Sequence, residues 1–167
     1  MVLTKLVYLE QFYNLLKLDA SGNSYNKIIT FVSNPIEANF IAMTTTLNSF
    51  VSYYYTTTQP NFTSIRILVS DSDGTVSYDS NIYIGPTLKT PYQLPVTSSF
   101  ANYTSKVINE NHNTRAAIMT ALISNGGVGT EQRWSTSTNN FTQYLAVRIG
   151  INSETSYGVI RVSMSSS

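Results

Sequence analysis

Ser64-Ile65-Arg66-Ile67-Leu68-Val69-Ser70-Asp71-Ser72-Asp73-Gly74-Thr75-Val76-Ser77-Tyr78-Asp79-Ser80 reads as strand, turn and returning strand. Ile65, Ile67 and Val69 alternate with Arg66, Leu68 and Ser70, a period of two built largely on β-branched residues, which predicts a strand. Asp71-Ser72-Asp73-Gly74 is turn chemistry, because an Asp-Gly pair tolerates the positive φ that a tight hairpin demands. Thr75 to Tyr78 then returns as a second strand.

Working outward, Leu3, Leu6, Val7, Phe12, Leu15 and Leu16 recur at helical spacing and predict an amphipathic helix over residues 3 to 18, ended by Ser21-Gly22-Asn23. A second helical pattern follows Asn34-Pro35, with Asn34 as the cap and Pro35 in the first turn. Its apolar positions are Ile36, Phe40, Met43, Leu47, Phe50, Val51 and Tyr54, interrupted by the poor helix formers Thr44 to Thr46. Thr56 to Pro60 closes it. Downstream of the hairpin, three prolines between Gly85 and Pro95 predict an irregular segment. A helix is expected from Ala116 to Ile123, with Arg115 near its start and Gly126-Gly127 as its stop. The last forty residues read as a meander: Gly129 to Ser135, a turn at Ser137 to Asn140, Phe141 to Ile149, a turn at Asn152 to Thr155, and Tyr157 to Met164. The sum is an α+β domain around a five-stranded antiparallel sheet. Residues 1–59 form an N-terminal helical segment packing on the sheet and residues 60–167 the sheet domain, together one structural unit without an internal repeat.

Composition narrows the function. The 167 residues carry ten Lys and Arg against nine Asp and Glu, a net charge of +1, and charged residues make up only 11% of the chain. A polyanion-binding surface shows as a basic excess, so nucleic acid is not the expected partner. The polarity is uncharged instead, in 22 Ser, 21 Thr and 16 Asn. Without Cys there is no disulfide, thiolate metal site or Cys nucleophile. One His excludes a zinc site built on two imidazoles. Apolar runs fall far short of the roughly 18 to 20 residues of a membrane span. Met1 to Leu18 carries Lys5, Glu10 and Lys17 and no small-residue cleavage site, unlike a signal peptide. The expectation is a soluble intracellular or virion-associated protein. Sequons at Asn61, Asn102 and Asn140 carry little weight in a chain so rich in Asn and Thr.

The hairpin, with its strand, D-x-D-G turn and second strand ending in Asp79-Ser80, resembles the opening of Cache and PAS-like sensor domains. Arg115 to Leu122 followed by Gly126-Gly127-Val128-Gly129-Thr130 is similar to the helix and glycine-rich lead into the third strand of that family. Tyr144-Leu145-Ala146-Val147 and Gly158-Val159-Ile160-Arg161-Val162-Ser163 resemble its last two strands. The similarity runs over about residues 60 to 164, in order, and is nearest to the extracytoplasmic domain of membrane histidine kinases. It implies a PAS-like or Cache-like sheet in which the first and fifth strands are neighbours and the fifth lies beside the fourth. Members of that family are usually flanked by transmembrane helices and followed by an output domain, and this sequence shows neither. Ala116-Ala117 also stands where the family often has Pro-Glu after the arginine.

Asp71, Asp73, Asp79 and Asn81 have the look of a calcium loop, but position 82 is Ile where an EF-hand needs Glu, so the reading is a solvated hairpin turn and no metal site. His112 stands between Asn111 and Asn113 with no orienting partner in sequence, which leaves a surface loop His and no catalytic residue. The arginines carry more. Arg66, Arg133, Arg148 and Arg161 lie in expected strands, Arg148 and Arg161 alternating with Tyr144, Ala146, Tyr157 and Val159, and the implied strand order brings Arg66, Arg148 and Arg161 to one face. Guanidinium forks suit a carboxylate or phosphate bidentately. The alternative is a solvent-facing polar side of the sheet whose Arg stems cover apolar surface. The candidate ligand-binding residues are therefore Arg66, Arg115, Tyr144, Arg148 and Arg161, with Arg115 the family-matched arginine that pins the helix or contacts ligand. Tyr53-Tyr54-Tyr55 winds around a helix, so at least one ring is expected to be exposed and available for self-association.

The function expected is a non-catalytic, stand-alone PAS-like or Cache-like binding module for small-molecule or signal sensing, with a small anion as one candidate ligand and no cofactor, acting through a protein partner or a homodimer. The alternative is a structural or interaction protein, such as a virion or assembly component, that keeps the sensor fold without a ligand.

Overall fold

In the computed structural model, the described residues are 2–56, 65–72, 75–80, 100, 120–121, 125–135, 140–150 and 156–165. The irregular segment expected at Gly85 to Pro95, His112, Arg115 and most of the helix expected at 116–123 lie outside them. Thr120 and Ala121 are helical.

Three helices precede five strands: α1 (Val2–Lys17), α2 (Ser24–Ser33), α3 (Glu37–Thr56), β1 (Arg66–Asp71), β2 (Val76–Asp79), β3 (Val128–Ser135), β4 (Asn140–Gly150) and β5 (Ser156–Ser165). The strands form one antiparallel sheet in the order β2-β1-β5-β4-β3, which places β1 beside β5 and β5 beside β4. This is the α+β class expected from the sequence, and the two neighbour relations are those that the family resemblance implies. Among the described residues, no helix is long and apolar enough to cross a membrane.

The helical layer holds one element more than expected. Ser24–Ser33 is a helix, with Ile28, Phe31 and Val32 buried at i, i+3 and i+4. Its run of β-branched and aromatic residues lowers intrinsic helix propensity, and burial of that stripe outweighs the cost. Asn34 accordingly closes α2 rather than opening α3: its N–H donates to the carbonyls of Phe31 and Thr30. The threonines of α3 stay helical because Phe40, Met43, Leu47, Phe50 and Val51 bury their stripe. Thr44 returns its hydroxyl to the Ile41 carbonyl at 3.2 Å.

Residues directly opposite one another in antiparallel strands share a face, so the registers sort the sheet into two. One face carries Ile67, Val69, Tyr78, Leu145, Ile149, Ile160, Val162 and Met164, and packs on Leu9, Phe12, Leu16, Ile28, Phe31, Met43 and Leu47 of the helices. The Tyr78 hydroxyl donates to Asn48 Oδ1 at 2.8 Å and ties β2 to α3. The other face is polar.

Candidate functional site

The polar face follows from the same alternation. Arg66 pairs with Ser163, Leu68 with Arg161 and Ser70 with Val159 across β1 and β5. Tyr144 pairs with Ser163, Ala146 with Arg161 and Arg148 with Val159 across β5 and β4. Glu131 pairs with Tyr144 and Arg133 with Thr142 across β4 and β3. Arg66, Arg148, Arg161 and Tyr144 therefore stand on one face, joined by Arg133, Glu131, Ser70, Ser163 and Asp79.

The middle of this face is not solvated. Arg66 is 4% exposed, Arg148 9%, Arg161 1% and Tyr144 1%. The solvent-facing reading of the arginines is thereby overturned. β1 and β5 are buried on both faces, which is why β1 shows no polar-out alternation in burial.

Each arginine has a distinct environment. Arg66 forms a bidentate pair with Asp79, which pairs with Leu68 in the hairpin and so lies diagonal to Arg66 on the same face. Asp79 is buried and does not belong to a solvated turn as its sequence neighbourhood suggests. Ser80, the next residue, accepts the Ile67 N–H on its hydroxyl at 2.9 Å. Arg148 donates from Nη1 to the Ala121 carbonyl at 3.4 Å. Its guanidinium also lies over Gly127, where an added Cβ would stand 3.1 Å from Cζ and Nη2. Thus Ala121, in the connection between β2 and β3, reaches the arginine face.

Arg161 and Arg133 share one aromatic ring. Their Cζ atoms lie 4.7 Å and 4.4 Å from the centroid of Tyr144. The register explains this: Arg161 opposes Ala146 and Arg133 opposes Thr142, so both are diagonal neighbours of Tyr144 from opposite flanking strands. Diagonal pairs on a sheet are within reach of aromatic and long side chains. A cation over a desolvated ring contributes about 2 kcal/mol. Glu131 Oε1 accepts from Arg133 Nε at 2.9 Å and holds that guanidinium in place.

Sequence reasoning placed Arg66, Tyr144, Arg148 and Arg161 as candidates, and the registers bring these four together. It did not select Arg133, Glu131 or Asp79. The signal for the first two was available as charges of opposite sign two apart on one strand, hence on one face. Among the described residues there is no cluster of three or more His, Cys, Asp or Glu that could hold a metal ion.

No family model matches this sequence, and no curated protein matches it. Among solved structures, the chain is similar to the sensor domain of the V. cholerae histidine kinase DctB, with a TM-score of 0.50 and 11% identity, covering 98% of this chain and 55% of that one. The likeness is one of fold. The chain spans little more than half the length of that sensor domain.

Proposed function

We propose that this chain is a non-catalytic binding module of the PAS-like or Cache-like kind, taking a small anion on the arginine face of its sheet. The observation that carries the reading is the buried, cation-flanked Tyr144, with Arg161 and Arg133 on its ring and Arg148 on the same face. Burying guanidiniums is costly unless something of opposite charge or a polar framework meets them. Glu131 and Asp79 serve Arg133 and Arg66 in this way. A guanidinium is the planar fork that carboxylates and phosphates fit, and Arg148 and Arg161 both lie on this face. The similarity to a structure described as a sensor domain supports the same reading. Arg115 belongs to the proposal as the residue that pins the connecting helix or meets the ligand. The signal would pass through a partner or a second copy of the chain.

Native mass spectrometry from gentle to denaturing conditions, followed by thermal melting with short-chain carboxylates, inorganic phosphate and sulfate, tests this. A bound anion at 100-fold its Kd adds about 2.7 kcal/mol, a rise in Tm of roughly 5 to 10 °C for a chain of this size. The rise should vanish in Arg148→Gln and in Arg161→Met while both variants still melt cooperatively. A clean oligomer with no adduct and no anion-dependent melting overturns the proposal in favour of a structural or interaction protein.

A further inference from the structure

A cleft of about 600 Å³ opens elsewhere, on the helical side, between the α1–α2 turn and α3. The turn is shaped by Asp19, whose carboxylate accepts from Ser21 Oγ at 3.2 Å, from the Gly22 N–H at 3.4 Å and from Ser24 Oγ. Those bonds fix the carboxylate at the cleft wall. Gly22 lets the turn sit close to α3, since a Cβ there would stand 2.8 Å from Asp19 Oδ2 and 3.2 Å from Thr46 Cγ2. Lys27, from the second turn of α2, lines the same cleft.

The opposite wall is aromatic. Tyr53 is 60% exposed, and its ring is braced at 90° by Tyr54, centroid to centroid 5.0 Å. Tyr54 is in turn packed on Phe50 at 5.0 Å and on Phe12 at 5.5 Å. An exposed ring on a fixed support is a stacking platform. Beside it, Thr45 and Ser49 present exposed hydroxyls from α3.

These groups define a ligand chemistry. A carboxylate and an ammonium in one cleft disfavour a simple anion and a simple cation alike, and together offer an acceptor and a donor to a neutral ligand. An aromatic platform flanked by hydroxyls suits a molecule with an apolar C–H face and hydroxyl edges. The volume lies in the range of small-molecule sites. We infer that this cleft is a second binding site, for a neutral mono- or disaccharide stacked on Tyr53 and hydrogen-bonded at its hydroxyls by Asp19 and Lys27. The inference is independent of the anion face, which uses none of these residues.

Saturation-transfer NMR on the whole chain with glucose, galactose, N-acetylglucosamine and maltose tests it, with choline as a cationic control. The expected result is transfer to the ring C–H protons of at least one sugar and none to choline. Tyr53→Ala should weaken that binding about tenfold, the scale of losing a stacking contact, while leaving Tm within about a degree or two because the ring is largely exposed. Tyr53→Phe should retain binding, and Arg161→Met should leave it unchanged. No transfer to any of the four sugars, transfer to choline instead, or equal transfer in Tyr53→Ala overturns the inference.

Discussion

Arg66 and Asp79 grip each other across the β1–β2 hairpin: Nε lies 3.0 Å and Nη2 2.6 Å from the two carboxylate oxygens, with both side chains buried. Removing one partner strands a buried charge, which costs about 3–5 kcal/mol. Asp79→Ala should therefore lower Tm on the order of 10 °C. Replacing both partners with apolar residues, as in Arg66→Met with Asp79→Leu, should recover most of that loss, since a buried pair contributes little net stability over good packing. Urea unfolding of the three variants checks this. A double variant as unstable as the single one would mean that the face needs the pair for more than its own neutrality.

Tyr144 couples two strands through charge rather than through area alone. Tyr144→Leu loses the attraction of its ring for Arg133 and Arg161, whereas Tyr144→Phe keeps the ring face that both cations use. A double-mutant cycle between Tyr144→Leu and Arg161→Met should give a coupling of about 1–2 kcal/mol. Coupling below a few tenths, read from urea midpoints, would show that the stacked geometry contributes nothing beyond packing.

The hairpin and the meander were legible because their cues are local. Asp-Gly marks one turn and a period of two marks β1, and β1 to β5 fall within a residue or two of their expected bounds. The pairing of Arg66 with Asp79 was not legible, because it depends on register. A one-residue slip would put Asp79 on the helical face, and nothing in the string Val76 to Asp79 alone excludes that. α2 was missed for another reason: Ser21-Gly22-Asn23 and Asn34-Pro35 read as the edges of a loop, while Ile28, Phe31 and Val32 gave only a single short stripe. Burial of the arginine face was beyond reach as well, because alternation tells which residues share a face and not what covers it.

Gly158 sets how closely β5 approaches β1. A Cβ built there would lie 2.1 Å from the Ser70 carbonyl oxygen, a backbone atom that cannot swing aside. Gly158 pairs with Asp71, the last residue of β1 before the hairpin turn, so relief requires the strands to part where the β1–β5 ladder ends. Gly158→Ala should cost about 3 kcal/mol or more, the upper range for point substitutions. Gly127→Ala should cost less, about 1–2 kcal/mol for a left-handed φ of 69°. Its new Cβ meets the guanidinium of Arg148 rather than backbone. Equal losses in the two variants, by thermal melting, would contradict this ranking.

Alkaline pH should unfold the chain through Tyr13. Burial raises its phenol well above the ordinary value of 10.0, and the neighbouring Tyr25 adds to the shift by charge and by hydrogen bonding. Their rings meet edge to face at 6.5 Å, with the Lys17 ammonium 5.7 Å from each. A raised phenol pKa means that the neutral form is favoured in the folded state. Below pH 10 both states keep the proton and the stabilisation is fully present. Above it the unfolded chain ionises first, so unfolding releases a proton and stability falls as pH rises. One such proton gives a slope of about 1.4 kcal/mol per pH unit. Tyr13→Phe removes the proton and keeps the ring, so unfolding free energies from urea titrations at pH 9 to 11 should fall less steeply than in the parent chain, by up to about 1.4 kcal/mol per pH unit above pH 10. Parallel curves for the two proteins would mean that Tyr13 ionises no later in the folded chain than in the unfolded one.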